Sequence, residues 1–244
     1  MGHQLWGTTA PRRFFGEAHW AEPLRWNEEA GLTGTRERVF CASMADVFEW
    51  RSDLNEQRKR LWDLIRKTTN LDWLLLTKRP QNIERLVPWN EWPANVWLGT
   101  SVENQTLVEK RLPFLLKNAA AVRFLSCESL LGQINLRPWF KKKGLHPIDW
   151  VIAGGESGGK SRPMHPDWAL TLLRQCEAVN VPFHFKQWGH WVPTELTNDT
   201  SRPTLLELRN ERPVEMVRLS KKLAGRILEG TTWDGVPHTP LIHA

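Results

Sequence analysis

The chain has 244 residues, 33 basic against 27 acidic side chains, and a formal charge of +6. A chain of this length buries roughly 70% of the surface its unfolded form exposes, so no metal or disulfide is required merely to hold a core. The charge leans only mildly towards phosphate-bearing partners. Cys41, Cys127 and Cys176 lie far apart, which excludes a contiguous zinc or iron–sulfur motif and a disulfide framework.

No apolar run is long enough to cross a membrane, and Met1-Gly2-His3-Gln4-Leu5-Trp6 lacks the layout of a secretory signal. With sparse, unpaired thiols, this sets the expectation of a cytoplasmic protein.

Residues 1–37 show no strand pattern and are punctuated by Pro11, Gly16, Pro23, Gly31 and Gly34, so an irregular N-terminal segment is expected there. Six short apolar runs follow: 38–43, 73–77, 96–101, 122–127, 150–155 and 183–187. Their continuous apolar character suits buried parallel strands. Helical spacing appears between them at 54–68, 80–86, 105–118 (with Pro113 as a flaw) and 167–179. Residues 38–190 therefore read as repeated β–α units, and residues 191–244 as an appendage with one short helix over 215–228.

Each strand ends in polar residues: Ser43 to Asp46, Thr77-Lys78-Arg79, Thr100 to Glu103, Ser126 to Ser129, Gly155-Glu156-Ser157 and Lys186-Gln187-Trp188. An open sheet needs such residues only at its switch point, whereas a barrel gathers all of its strand ends at one mouth. The expected fold is α/β, a partial TIM-like (β/α)6 barrel of parallel strands.

Several rim residues have chemical potential. Gly154 to Gly159 allows close backbone approach to a ligand and offers amides for an anion, with Lys160 and Arg162 adding charge. The spacing Gly154…Gly159-Lys160-Ser161 matches a P-loop pattern after a strand, but Pro163 and Pro166 disfavour a helix starting at Lys160. A plain structural turn is the competing interpretation.

Lys78 and Arg79 suit a carboxylate or phosphate clamp, or are a solvated basic pair. Asp46, Glu103, Glu128 and Glu156 place carboxylates on the same rim, where acid–base work, amine binding and plain salt bridging all remain open. Lys186 follows Phe183-His184-Phe185, a setting that desolvates an amine. The histidines show no metal spacing, and Lys141-Lys142-Lys143 reads as a solvated loop. Fifteen tryptophans without a tyrosine are expected to be mostly structural, with a few as base-stacking platforms.

The segments CASMADVFE, LLLTKRPQNIERL, VWLGTSVENQ, VRFLSCESLLGQI, WVIAGGESGGKSRPMHPDW, VPFHFKQWGHW and KKLAGRILEGTTWDGVP, in this order, resemble a phage and bacterial three-Cys-motif family of unknown function, DUF5131, related to radical SAM enzymes. The resemblance implies a partial TIM-like barrel that binds S-adenosylmethionine at the strand ends. It also implies a [4Fe–4S] cluster held by a cysteine loop after the first strand. That loop and strand lie upstream of the segment matched by Gly2 to Gly7, so its ligands are absent from this sequence and the three cysteines present do not take their place. An open barrel edge, suited to a protein partner, is then expected.

On this resemblance Ser43, Asp46, Lys78, Glu103, Glu128 and Lys186, with Gly154, Gly155, Glu156 and Ser157, line the cofactor site. Arg79, Lys160, Arg162, Gln187 and Trp188 line the substrate site. Two functions stay open: a shortened radical SAM-like enzyme, with a nucleotide or nucleic acid as substrate, and a non-catalytic barrel that binds a nucleotide or nucleic acid.

Overall fold

A computed structural model describes residues 10–42, 45–199, 202–208 and 211–238. Its centre is a six-stranded parallel sheet in sequential order: β1 (Glu37–Cys41), β2 (Leu71–Thr77), β3 (Val96–Ser101), β4 (Val122–Glu128), β5 (Trp150–Gly154) and β6 (Phe183–Gln187). The sheet curls into a half barrel flanked by helices, the α/β architecture expected from the sequence.

Helices α2 (Asn55–Lys67), α3 (Ile83–Leu86), α4 (Gln105–Leu115) and α5 (Pro166–Glu177) form the crossovers. Three of the four, α2, α4 and α5, have a clear local cause. Leu61, Trp62, Leu64 and Ile65 give α2 a buried stripe. The Asn104 side chain caps α4 by accepting from the Leu107 amide at 3.1 Å, and Pro113 is accommodated inside the helix near its end. Proline at the first turn starts α5, where a missing amide costs nothing.

Two regions differ from the expectation. The N-terminal segment is not irregular throughout: α1 spans Glu17–Thr33 and ends at Gly34, whose φ of 65° is the left-handed cap that glycine permits. Its low amphipathicity and internal Pro23 hid it from periodicity. The tail carries a small antiparallel sheet of β7 (Trp191–Pro193), β8 (Thr204–Leu206) and β9 (Val214–Arg218), ordered β7-β9-β8. The expected helix over 215–228 shrinks to α6 (Lys221–Ala224), because Val214, Met216 and Val217 are buried as a strand.

The sheet has two differently filled faces. Its outer face joins the helices in the main core. Its inner face holds a separate cluster of Leu74, Trp97, Val122, Phe124, Trp150 and Ile152. Trp97 meets Trp150 edge-on at 5.8 Å, and the Phe124 ring lies over Gly99, where an added Cβ would come within 2.4 Å of it. The chain near its end completes this plug. Phe185 N–H donates to Trp233 O at 2.9 Å and Gly235 N–H to Phe183 O at 3.0 Å, which covers the β6 edge. Trp150 Nε1–H donates to Gly235 O at 2.7 Å, and Val236 packs on the cluster.

The opposite edge is bare: β1 pairs with β2 alone, with no strand on its other side among the described residues. Phe40 there is 47% exposed, and an apolar cavity of about 440 Å³ wraps this edge between α1, β1 and α2.

Replacing Gly99 by alanine should overpack the plug and lower unfolding free energy by about 1–3 kcal/mol. The second change Phe124→Leu should recover part of that loss. Urea denaturation of the three proteins measures it, and a neutral Gly99→Ala would show that Phe124 is not confined.

Candidate functional site

Register places the rim. Ser101, Ser126, Ile152 and His184 are paired in one row across β3 to β6, so they share the inner face just below the mouth. Above them come the residues that end the strands, and each rim carboxylate meets a cation.

Asp46 is a strap between the loop after β1 and the end of β2. Its Oδ1 accepts from Phe48 N–H at 3.0 Å and Thr77 Oγ1–H at 2.8 Å, and its Oδ2 from Lys78 N–H and the Arg79 guanidinium, both at 3.0 Å. Both oxygens are occupied, so Asp46 shapes the rim instead of offering acceptors. Arg79 is committed to it and lies 3.6 Å from Glu49. Ser43 lies outside the described residues.

Glu103 is held from two sides, by Lys78 Nζ at 2.7 Å and by Arg111 at 2.9 Å. Arg111 also donates to Ser101 O at 2.7 Å, tying α4 to the top of β3. Arg111 lies inside α4, eight residues from Glu103, and no motif of the sequence pointed to it.

Glu128 and Lys186 form a third pair at 3.0 Å, with side chains 18% and 51% exposed. The lysine binds Glu128 Oε2. Among the described residues no donor reaches Oε1, which lies over Gly154: a Cβ there would be 3.4 Å from it. The expected desolvation of Lys186 is not what the fold provides; its amine is half-exposed and paired.

The glycine loop is folded onto itself. Gly155 carries no side chain because the Trp188 carbonyl oxygen would lie 2.0 Å from a Cβ, and Gly189 for the same reason against Glu156 O at 2.2 Å. These glycines let two backbones cross; they do not make room for a ligand at that point. Glu156 accepts from the Arg162 backbone at 2.7 Å and from its guanidinium at 2.8 and 2.9 Å. The guanidinium lowers the Glu156 carboxyl from its usual 4.5 to about 2.

Gly158 N–H donates to His190 Nδ1 at 2.9 Å, and Arg218 donates to the Gly158 and Gly159 carbonyls at 2.9 and 3.0 Å. The Gly155 and Gly158 amides, expected to help cradle an anion, are thus spent internally. Lys160-Ser161 lies in a turn and the next helix starts at Pro166, so the P-loop alternative is excluded. His190 and Arg218 were not legible as site residues, being 32 and 60 residues from their partner Gly158.

Two expected substrate residues turn away from the mouth. Trp188 is 1% exposed, packs edge-on against Phe185 and donates Nε1–H to Ile227 O at 2.7 Å, so it belongs to the core. Gln187 is buried and donates to Ser157 Oγ at 3.1 Å, holding the loop from beneath. Lys160 is exposed and Arg162 is bound to Glu156.

The cysteines do not fit an iron–sulfur cluster. Cys127 and Cys176 are buried in the apolar core, and Cys41 sits on the edge strand. Burial raises all three thiols, Cys41 and Cys176 to about 12, whereas cluster ligation uses thiolates converging on one point. His165, Asp167 and Glu211 do converge. However, His165 Nδ1 accepts from Asp167 N–H at 3.2 Å and Nε2 bonds Arg212 O at 2.8 Å, so the imidazole is spent as the cap of α5.

The fold and the paired rim define an α/β half barrel with a charged rim at the C-terminal ends of its strands. Residues 2–237 match the family described as "Protein of unknown function (DUF5131)", and the chain belongs to that family. No curated protein and no solved structure matches.

A depressed carboxyl stabilises the fold above its unfolded pKa and loses that effect as pH falls towards its folded value. The loop should therefore loosen between pH 4.5 and 2. Trp191, whose Nε1–H donates to Ser161 O at 2.8 Å, reports it by fluorescence. Glu156→Gln should remove that transition and cost about 1 kcal/mol at neutral pH, the pair being partly solvated; an unchanged acid transition would assign it elsewhere.

Proposed function

We propose that the mouth binds S-adenosylmethionine and that the chain is a radical SAM-like barrel acting on a nucleotide- or nucleic-acid-related substrate. The observation that carries this is the Glu128–Lys186 pair over Gly154, with one carboxylate oxygen lacking a protein donor and an amine half-exposed. A ligand bearing both an ammonium and a carboxylate, as the methionyl end of S-adenosylmethionine does, matches that pair group for group. Glu128 Oε1 accepts from the ligand ammonium, and Lys186 binds its carboxylate. Ser101 and Ser126 supply hydroxyls on the row below, and the aromatic plug beneath them keeps water from entering from below.

When bound, a cluster in such enzymes supplies the electron that cleaves S-adenosylmethionine. The cysteines of this chain do not supply its ligands, so its own residues bind and orient. The phage association rests on the resemblance, and a cytoplasmic setting on three unpaired thiols, two of them buried.

Isothermal titration should show saturable binding of S-adenosylmethionine. Glu128→Gln and Lys186→Met should each weaken it about tenfold, the value of one charge-assisted hydrogen bond. Undiminished binding by Glu128→Gln, or no binding at millimolar ligand, would rule the proposal out. ATP binding that falls with salt and is lost in Lys78→Gln/Arg79→Gln would favour the nucleotide-binding alternative.

A further inference from the structure

A second surface stands apart from the mouth. Helices α2 and α3 border a groove of about 520 Å³ lined by Lys59, Trp62, Asp63, Arg66, Arg85 and Trp89 among others. Lys59 and Arg66 are seven residues apart on α2, so they share one face and lie about 10 Å apart along the axis. Arg85 projects from α3 on the other side. All three are exposed, and none makes an ion pair among the described residues.

Asp63 is the single carboxylate lining the groove. Arg58 also reaches it but spends its guanidinium on the carbonyls of Val47, Glu49 and Arg51 at 3.0 Å each. This differs from the mouth, where Lys78, Arg79, Arg162 and Lys186 each face a carboxylate.

Arg85, which lines the groove, also reaches Trp50, which is 61% exposed and whose ring centre lies 5.8 Å from the guanidinium. Most tryptophans here are fixed by burial or by an Nε1–H bond to the protein. Trp50 is the exposed exception among the described residues, and its cation partner leaves ring surface open.

We propose that this face binds single-stranded nucleic acid, with phosphates on Lys59, Arg66 and Arg85 and a base stacked on Trp50. Unpaired cations beside an exposed indole are what a strand with alternating charge and π-surface uses. An acidic protein surface would use the cations and leave the indole idle, and a duplex keeps its bases from the ring.

The test is fluorescence anisotropy of labelled oligo-dT and oligo-U between about 50 and 200 mM salt, where phosphate binding weakens steeply. The two oligonucleotides distinguish DNA from RNA. The triple variant Lys59→Gln/Arg66→Gln/Arg85→Gln should flatten the slope of log K against log salt by about 2, near 0.7 for each phosphate that is no longer neutralised. Trp50→Ala should weaken binding about tenfold or more and Trp50→Phe should restore most of it. All four positions are exposed, so circular dichroism should match the parent protein.

Lys78→Gln/Arg79→Gln, which removes cations of the mouth, should leave oligonucleotide binding within about twofold of the parent; loss of binding there would move the site to the mouth and overturn this assignment. No binding at low salt, or a triple variant that binds like the parent, would also overturn it. So would displacement by polyglutamate as complete as by unlabelled oligonucleotide, which would make an acidic protein surface the partner.

Discussion

A half barrel has to bury its inner face without the strands that would oppose it in a closed barrel. Here the inner face is filled from within. Trp97, Phe124 and Trp150 meet across the lumen, and they can do so because Gly99 leaves the space that the Phe124 ring occupies. The last turn of chain then closes the plug, with Trp150 bonded to Gly235 and Val236 laid on the cluster. Large rings suit this role, since each buries much apolar surface; the Trp150 indole N–H finds the Gly235 carbonyl, whereas the buried Trp97 Nε1–H has no partner among the described residues.

The plug sets where chemistry can happen. With the lower lumen filled, a ligand is left the space above the Ser101–Ser126–Ile152–His184 row. The rim there is nearly self-neutralising. Exposed ion pairs add little stability, but they fix the directions of Asp46, Glu103 and Glu156, whose oxygens are all engaged. Glu128 differs because Gly154 beneath it donates nothing to its second oxygen. On the proposed function, selectivity at this mouth would come from one unfilled acceptor beside one half-solvated amine, not from the number of charges present.

Much of this was legible in the sequence. Continuous apolar runs ending in polar residues gave the six parallel strands, and the spacing of Leu61, Leu64 and Ile65 and of Leu170, Leu172 and Leu173 gave α2 and α5. α1 was not legible, because it interrupts its own pattern with Pro23 and buries little beyond Pro23 and Ala30. The loop at Gly154 to Gly159 was legible as a rim element but misleading as an anion cradle. Its Gly155 is demanded by the Trp188 backbone, and its clamps, His190 just before β7 and Arg218 at the end of β9, come from a tail with no local signal of the contact. Trp188 was placed on the rim by its position after β6, yet the turn at Gly189 rotates it into the core.

The distribution of charge separates two kinds of partner. A polyanion needs cations that are not already neutralised, because binding it otherwise requires breaking existing pairs. The mouth offers few: Arg79 would have to leave Asp46, and Arg162 would have to leave Glu156. The groove beside α2 offers Lys59, Arg66 and Arg85 without that cost. An amino-acid end has the opposite requirement, since its ammonium and carboxylate cancel and replace solvent around an existing pair. The chain's unpaired positive charge is therefore better placed on its helical face than at its barrel mouth, and the ligands proposed for the two surfaces should differ in the salt dependence of their binding.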